Sequence, residues 1–375
     1  MIRVLSIFGT RPEAVKMAPV VRKLDETTGV ESLVCVTAQH RQMLDQVMEL
    51  FCIRPDYDLD LMEEGQSLAA LTARVFTHLD PLLKKLKPDW VLVQGDTTTV
   101  MSAALLSYYN RVKVGHVEAG LRTGDKYKPF PEEINRKVAG VIADLHFAPT
   151  EHSRQNLLQE NIPDEQIIVT GNPAIDALQW VVRQPFDLST LNIPNFFEKQ
   201  HVLVTAHRRE NFGQPLENIC TAIKKLASDY REDLHFTYPV HLNPYVKEPV
   251  TRMLSGIPNI TLLEPLDYLP MVNLMKNSKI VLTDSGGIQE EAPGLGVPTL
   301  VMRNTTERPE GVDAGTLKLV GTNQDRIIKE VRRLLDDPQA YAQMAGAVNP
   351  FGDGQASGRI VQAIVDYDNH CVNEG

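Results

Sequence analysis

The feature that most constrains this fold is a regular alternation of short apolar segments with longer segments of helical periodicity. The short segments are rich in Val, Ile and Leu and fall into two groups, 4–8, 32–37, 90–94, 113–117, 145–148 and 167–170, then 201–205, 235–239, 260–263, 279–283, 299–302 and 317–320. Parallel strands buried on both faces have this composition, and they need helices as crossover connections. We therefore predict an α/β fold with two doubly wound parallel-sheet domains.

The segment 171–200 is the predicted domain boundary. A helix at 174–182 is followed there by a stretch that contains Pro, Phe and Asn and has weak periodicity. After Asn349 a Gly-rich crossing leads into a helix with Ile360 and Ile364 on one face. Because such a helix can pack back on the first domain, we predict a first domain of residues 1–171 plus 355–375 and a second of residues 172–354.

The composition argues against several classes of partner. With 48 acidic and 38 basic side chains the net charge is −10, so no overall field attracts nucleic acids or acidic membranes. The cysteines Cys35, Cys52, Cys220 and Cys371 have no CxxC or zinc-ligand spacing. No apolar segment reaches the length of a membrane-spanning helix or of a signal peptide core. We predict a cytoplasmic protein that binds no metal, nucleic acid or membrane.

A glycine turn follows the tenth predicted strand. Gly286 and Gly287 have no Cβ, so they can adopt unusual backbone angles and let a ligand approach the main chain. The helix predicted to begin there points free N–H groups and the positive end of its dipole at an anion, for which phosphate is the natural candidate. Glu291, one turn further on, is placed to accept hydrogen bonds from sugar hydroxyls. An N-cap formed by Asp284 and Ser285, with nothing bound, fits the same residues.

Polar side chains also follow the strands of the first domain, at the sheet edge where open parallel sheets bind ligands. Arg11 and Lys16 flank the start of the helix after the first strand. Two cations there favour an anionic ligand, although solvated cations at an ordinary helix start fit the same pattern. Asp96 lies at the tip of the third strand, either as an N-cap or as a buried carboxylate at the mouth of the sheet.

Two further acids follow the fourth strand of this domain. Glu118 comes directly after the apolar segment, where a carboxylate is hard to solvate. Glu132 opens a later helix, where acids are also common as partners of the helix dipole. Together with Asp96, they form three acidic candidates on one side of one domain.

The second domain carries cations at two strand exits. His207 is followed by Arg208 and Arg209 after one strand, and Arg308 follows another. A lone histidine is more often structural, and His241, after a third strand, has no supporting signal. The histidine with two arginines, in the same domain as the glycine turn, favours ligand contact. We predict a nucleoside-diphosphate site in this domain and acid/base carboxylates in the other, an arrangement suited to chemistry on a group that the nucleotide carries.

Eight segments, taken in order, closely resemble those of the bacterial non-hydrolysing UDP-N-acetylglucosamine 2-epimerases: GTRPEAVKMAPV, TAQHRQMLDQV, QGDTTTV, GHVEAGLRTGD, PFPEEINR, TAHRREN, LTDSGGIQEEAPGLGVP and TTERPEG. The resemblance covers almost the whole chain. It implies two Rossmann-like domains of the glycosyltransferase-B type facing a deep cleft, a homodimer, and reversible conversion of UDP-GlcNAc to UDP-ManNAc.

The resemblance also implies roles for individual residues. The catalytic residues of the family match Asp96, Glu118, Glu132 and His207. Its substrate contacts match Arg11, Lys16, Asp96, Glu118, His207, Ser285, Gly286, Gly287, Glu291 and Arg308, with Glu291 on the ribose and the Ser-Gly-Gly turn on the diphosphate. Leu266 and Met271 stand where some members carry Gln and Phe near the uracil, and a backbone contact survives the first change whereas aromatic packing does not survive the second.

Bacterial members of the family can be activated by a second UDP-GlcNAc molecule bound beside the substrate. The matching positions here are Gln39, Gln42 and Glu132, but an arginine that some members use there aligns with Gly65. The resemblance therefore implies a possible allosteric site that lacks one of its cations.

The chemistry expected from the resemblance is an elimination. A carboxylate removes the C2 proton as UDP leaves, which gives 2-acetamidoglucal, and UDP adds back with inversion at C2. No metal or nicotinamide is expected, since the glycine turn lacks GxGxxG and elimination needs no hydride carrier. The alternatives are a glycosyltransferase of the same fold that uses a UDP-sugar donor, a hydrolysing epimerase, and a nucleotide-sugar sensor in which the three carboxylates would have no role.

Overall fold

The computed structural model describes residues 1–37, 41–61, 63 and 65–373. Contacts divide the chain into unit 1, which is Met1–Ala177 with Phe351–Gly375, and unit 2, which is Leu178–Pro350. The chain thus changes unit at 177/178 and 350/351, where the sequence predicted 171/172 and 354/355. Within the described ranges, no helix combines the length and the apolar character that crossing a membrane requires.

Unit 1 contains a parallel sheet with the strand order β3-β2-β1-β4-β5-β6-β7. Its strands are β1 (Ile2–Phe8), β2 (Val30–Val36), β3 (Tyr57–Asp58), β4 (Trp90–Gln94), β5 (Lys113–Val117), β6 (Leu145–Ala148) and β7 (Ile167–Val169). Its helices are α1 (Arg11–Asp25), α2 (Arg41–Leu50), α3 (Leu68–Leu86), α4 (Thr98–Tyr109), α5 (Glu132–Ile142), α6 (Glu151–Gln159) and α7 (Pro173–Val181), the last of which runs on into unit 2.

Unit 2 contains a second parallel sheet, with the order β10-β9-β8-β11-β12-β13. Its strands are β8 (Gln200–Thr205), β9 (Leu234–Pro239), β10 (Ile260–Leu263), β11 (Ile280–Thr283), β12 (Thr299–Val301) and β13 (Leu317–Leu319). Its helices are α8 (Gln214–Asp229), α9 (Pro244–Leu254), α10 (Tyr268–Lys276), α11 (Gly286–Gly294), α12 (Pro309–Asp313), α13 (Gln324–Asp336) and α14 (Pro338–Ala345). The chain then returns to unit 1 as α15 (Ala356–Asn373).

The predicted fold class is confirmed, with one correction to the number of strands. The sequence predicted six strands in each domain, whereas the described part of unit 1 has seven. The additional strand, β3, has two residues and pairs with β2 through Cys35–Tyr57 and Val36–Asp58. It contains no apolar run, so the composition gave no signal for it.

The strands are apolar because helices cover both faces of each sheet. Leu5 of β1 and Val91 of β4 have no exposed surface and lie in one buried cluster with Leu79 of α3. In unit 2, Val204 of β8 and Ile223 of α8 lie in the corresponding cluster. Each unit therefore has a hydrophobic core of its own.

Helix α15 packs on the sheet of unit 1. The Tyr367 ring meets the Trp90 ring edge-on, with 5.2 Å between centroids. The Asp368 carboxylate accepts a hydrogen bond from Trp90 Nε1 at 3.1 Å and pairs with the Lys113 ammonium at 2.5 Å. Tyr367 and Asp368 thereby fix α15 to unit 1.

In each sheet the strand order reverses at one point, between β1 and β4 in unit 1 and between β8 and β11 in unit 2. The loops that leave the two strands diverge there, which opens a crevice at the carboxyl ends of the strands. The candidates Arg11 and Asp96 follow β1 and β4, and His207 and Ser285 follow β8 and β11.

We expect Gly120→Ala to destabilise the protein much more than Gly29→Ala. Both glycines have positive φ, 89° and 86°, and the left-handed backbone alone costs alanine about 1 kcal/mol. A Cβ at Gly120 would in addition lie 2.2 Å from the Ser153 carbonyl oxygen of α6, whereas at Gly29 it would meet no described atom within 4 Å. Urea unfolding followed by circular dichroism measures both losses, and equal losses would contradict this packing.

Candidate active site

The start of α1 is held by a buried carboxylate that sequence reasoning missed. The helix begins at Arg11, and its N-cap Thr10 forms a capping box with Glu13. The Glu13 carboxylate accepts hydrogen bonds from the N–H groups of Gly9 and Thr10, at 3.1 and 2.7 Å, and from the Thr97 hydroxyl at 2.8 Å. Burial raises the pKa of Glu13, although these bonds oppose the shift. The spacing Thr-x-x-Glu was the available signal.

Asp96 is not a helix cap, because Thr97 caps α4 with its side chain. The Asp96 carboxylate instead forms an ion pair with Arg136 of α5, whose side chain is 9% exposed. The backbone carbonyl of Asp96 accepts from the Asn135 amide at 2.9 Å, and Arg136 also contacts Glu133 at 3.3 Å. Of the two sequence interpretations, the carboxylate at the mouth of the sheet fits this geometry better than the cap, but its predicted burial is wrong, because the Asp96 side chain is 28% exposed.

The turn before Asp96 is held by a buried histidine on β5. The His116 Nε2–H donates to the Gly95 carbonyl at 2.7 Å, and the Gly95 N–H donates to the Val117 carbonyl at 3.0 Å. Burial lowers the pKa of His116 to about 4, so the ring is neutral at pH 7. The Gly95 peptide is therefore fixed on both sides, and with it the position of Asp96.

Glu118 is buried, as its place after an apolar strand predicted, with 5% of its side chain exposed. Its backbone is left-handed, with φ of 62°, which is uncommon for a residue other than glycine. The carboxylate is paired with the Lys16 ammonium of α1 and accepts from the Gln94 amide of β4 and from the Asn172 amide, the last at 3.0 Å. Lys16 and Glu118 are therefore in direct contact.

Glu132 is the first residue of α5 and lines a cavity of about 320 Å³. The other lining residues are Thr10, Gln66, Ser67, Leu68, Leu71, Thr97, Thr98, Pro131 and Asn135. One carboxyl oxygen of Glu132 is buried and has no hydrogen-bond partner among the described residues. Buried carboxyl oxygens are normally bonded, so Glu132 is an exception among the described acids of this unit.

Two positions of the predicted allosteric site fall outside the description. Gln39 is outside the described residues, and Gln42 belongs to α2 but its side chain is likewise outside them. Arg11 is the first residue of α1 and has no ion-pair partner in the described part of the chain.

In unit 2 a buried carboxylate joins the loops that follow β8 and β11. Asp284, which has no exposed surface, accepts from the backbone N–H groups of His207 and Arg208, each at 2.9 Å. It also accepts from the Asn211 amide at 2.9 Å. In the alternative interpretation Asp284 and Ser285 formed an N-cap; Ser285 does occupy the N-cap position of α11, but its side chain makes no capping hydrogen bond.

His207 lies between Asp284 and a second histidine. Its Nδ1 is 3.4 Å from the Asp284 carboxylate, and its ring stacks on His241 with 5.6 Å between centroids and 13° between planes. Burial lowers the pKa of His207, the Asp284 charge opposes the shift, and His241 and Arg208 add to it. His241, for which the sequence gave no supporting signal, thus belongs to the same cluster.

The glycine turn differs from the prediction in one respect. Neither Gly286 nor Gly287 has a positive φ, because both are ordinary residues of the first turn of α11. A Cβ on Gly286 would lie 3.0 Å from Arg308 Nη1 and 3.2 Å from Arg208 Nη2. Glycine therefore leaves room for the close approach of two guanidinium groups, which add positive charge to a helix N-terminus.

Acidic partners hold these guanidinium groups. Arg308 pairs with Glu290 of α11, which is 3% exposed, and Arg208 lies 3.7 Å from Glu307. Burial acts to raise the pKa of Glu307, but hydrogen bonds and charge from Arg303 outweigh it and bring the pKa to about 2. Glu307 is therefore ionised at every physiological pH.

The remaining candidates lie on neighbouring elements of unit 2. The Glu291 carboxylate accepts from the Tyr268 hydroxyl at 3.1 Å. Leu266 lies in the loop after β10, Met271 lies in α10, and both are half-buried. Among the residues that the structure describes, no group of three or more His, Cys, Asp or Glu side chains is placed to hold a metal ion.

Two doubly wound parallel sheets, one carrying buried carboxylates and the other a cationic helix start, define an α/β protein of the glycosyltransferase-B type. The chain belongs to the UDP-N-acetylglucosamine 2-epimerase family, whose model matches residues 22–365. A relative from Salmonella typhimurium, named UDP-N-acetylglucosamine 2-epimerase, is 55% identical over 372 residues, 97% of this chain and 99% of the relative. The family is one of isomerases.

Solved structures agree with this assignment. The UDP-GlcNAc 2-epimerase of Neisseria meningitidis, bound to UDP-GlcNAc, is 48% identical and has a TM-score of 0.88, over 97% of this chain and 100% of that one. The S. aureus MnaA–UDP structure is also 48% identical, with a TM-score of 0.89 over 98% of this chain and 97% of that one.

We expect Asp284→Asn to lower the pKa of His207 further and His241→Ala to raise it. The first change removes the negative charge that favours the imidazolium, and the second removes a neighbour that disfavours it and admits water to the ring. NMR titration of the His207 Cε1–H resonance measures both shifts. Shifts of the same sign, or none, would contradict the geometry of the cluster.

Proposed function

We propose that this protein interconverts UDP-GlcNAc and UDP-ManNAc by inverting carbon C2 of the sugar while UDP stays bound. The observation that carries the proposal is the match over nearly the full chain to proteins of that name. One structural neighbour is bound to UDP-GlcNAc and another to UDP, which supports a nucleotide sugar as the substrate.

Elimination is the route by which C2 can exchange its hydrogen. C2 has no adjacent carbonyl group, so direct removal of its proton would leave an unstabilised carbanion. If the C1–O bond breaks at the same time, the electrons of the C2–H bond form the C1=C2 double bond and UDP leaves with the C1–O electron pair. A UDP oxygen then adds back to C1 of the 2-acetamidoglucal while a proton arrives on the opposite face of C2.

Unit 2 is suited to hold the leaving diphosphate. The N–H groups of Gly286 and Gly287 lie at the start of α11, beside the Arg308 and Arg208 guanidinium groups, whereas the Ser285 N–H donates to the Thr283 hydroxyl at 2.9 Å. In our proposal these donors and His207 stabilise the charge that develops on UDP, and they require no rearrangement to do so. Glu291, Leu266 and Met271 lie on neighbouring segments and are proposed contacts of the ribose and the uracil.

Unit 1 is suited to move protons. Asp96 and Glu118 follow adjacent strands, and we propose that they act at the two faces of C2, with Glu132 as a further base or orienting group. The ammonium of Lys16 compensates the Glu118 charge, and Glu132 lines a cavity of unit 1. Arg11 and Lys16 are the proposed substrate contacts of this unit.

The family resemblance also supports a homodimer that works in the cytoplasm, and both stay predictions. The possible activating site at Gln39 and Gln42 stays a prediction as well.

We expect purified protein in D₂O to convert UDP-GlcNAc to UDP-ManNAc with one solvent deuterium at C2. Elimination releases the original hydrogen to a carboxylate that exchanges with solvent before a proton returns. Proton NMR follows the reaction. Product with the original C2 hydrogen would contradict elimination, free ManNAc with free UDP would indicate a hydrolysing enzyme, and no conversion would contradict the proposed function.

We expect Asp96→Asn to lower kcat by about 10²- to 10⁴-fold, the range for loss of a general acid or base. UDP affinity should stay close to that of the wild type, because the diphosphate donors lie in unit 2. NMR assays and calorimetric UDP titration measure the two quantities. Asp80→Asn, at an exposed ion pair on α3, is the matched control. Full activity in the Asp96 variant, or parallel loss of UDP binding, would remove Asp96 from this role.

A further inference from the structure

Asn172, just after β7, has a side chain that joins Glu118 to the start of α7, the helix that runs on into unit 2. The residue is 1% exposed. Its Nδ2 donates to Glu118 Oε1 at 3.0 Å, and its Oδ1 accepts from the Ala174 N–H in the first turn of α7, also at 3.0 Å. The two bonds fix the orientation of the amide, because only its nitrogen can donate to a carboxylate.

The backbone of Asn172 is bonded to the segment by which the chain returns to unit 1. Its N–H donates to the Phe351 carbonyl at 2.7 Å. One turn later Asp176 accepts from the N–H groups of Ser357 and Ala356, at 2.8 and 3.2 Å, where α15 begins. The segment that leads into α7 is thus hydrogen-bonded to the segment that leads into α15. One of these bonds is made by Asn172, the residue that contacts Glu118.

Glu118 needs such support because its backbone is left-handed, with φ of 62°. Strained conformations of this kind persist where the surroundings hold them and are common at functional sites. Lys16 and Gln94 hold the carboxylate from α1 and β4, which belong to the body of unit 1. Asn172 holds the same carboxylate from the short segment between β7 and α7.

We propose that Asn172 is a positioning residue for the epimerisation, whose amide holds the Glu118 carboxylate in line with C2. The inference rests on the proposed function.

The variant that tests this role is Asn172→Asp. The change preserves size and the oxygen that caps α7, but it replaces the donor by a carboxylate oxygen that repels Glu118. We expect kcat to fall roughly 10- to 100-fold, the cost of a misplaced reacting group. KM and the Kd for UDP should change by less than about twofold, because a group that acts in the chemical step contributes little to binding. Wild-type kcat in this variant would overturn the proposal.

Asp176→Asn is the matched control for a purely structural effect. Asp176 ties the same connection to α15, and the bonds described for it do not involve Glu118. We expect its kcat to stay within about threefold of the wild type, since a change remote from the reacting groups alters kcat little. An equal loss in both variants would assign the effect to the weakened connection and would overturn the proposal.

Thermal unfolding tests the contact without any substrate. In the Glu118→Gln background, the amide at position 118 can donate to the carboxylate that Asn172→Asp introduces, which restores the hydrogen bond with its direction reversed. We therefore expect Asn172→Asp to lower Tm less in this background than in the wild type. Equal losses would overturn the proposal. This measurement is independent of catalysis, so an inactive wild-type protein would contradict the proposed function and leave the test of Asn172 in force.

Discussion

Buried carboxylates at the ends of parallel strands organise both units, and each is stable only because the fold supplies it with hydrogen-bond donors. Glu13 joins the turn after β1 to Thr97 after β4. Asp284 joins the end of β11 to the backbone N–H groups of His207 and Arg208 after β8. Because loss of a donor would leave a buried charge unsatisfied, the loops at the reversal of strand order hold each other in place.

The same constraint gives the two units their different chemistry. In unit 1 the fixed turns place Asp96 against the Arg136 guanidinium and Glu118 against the Lys16 ammonium. The two acids are therefore oriented before a ligand arrives. In unit 2 the fixed loops bring Arg208 and Arg308 against the first turn of α11, which concentrates positive charge at a helix N-terminus. Both arrangements are organised in advance, which is what electrostatic catalysis requires.

The sequence predicted those features that depend on local pattern. The apolar segments located all strands but β3, which is too short and too polar to be recognised, and the place of Glu118 after an apolar strand predicted its burial. Features that depend on distant contacts were missed, such as the stacking of His241 on His207 and the bond from Asn172 to Glu118. The glycine of the turn was predicted to serve unusual backbone angles, whereas Gly286 makes room for side chains far along the chain.

Our central proposal is that UDP-GlcNAc binds by its diphosphate at the helix start of unit 2 and loses its C2 proton to a carboxylate of unit 1. A crystal structure of the Asp96→Asn variant with UDP-GlcNAc tests it most directly. We expect the diphosphate at Ser285, Gly286 and Gly287, and a Glu118 carboxylate oxygen about 3 to 3.5 Å from C2, the separation of reacting atoms before transfer. A diphosphate bound elsewhere, or a C2 atom out of reach of Glu118, would contradict the claim.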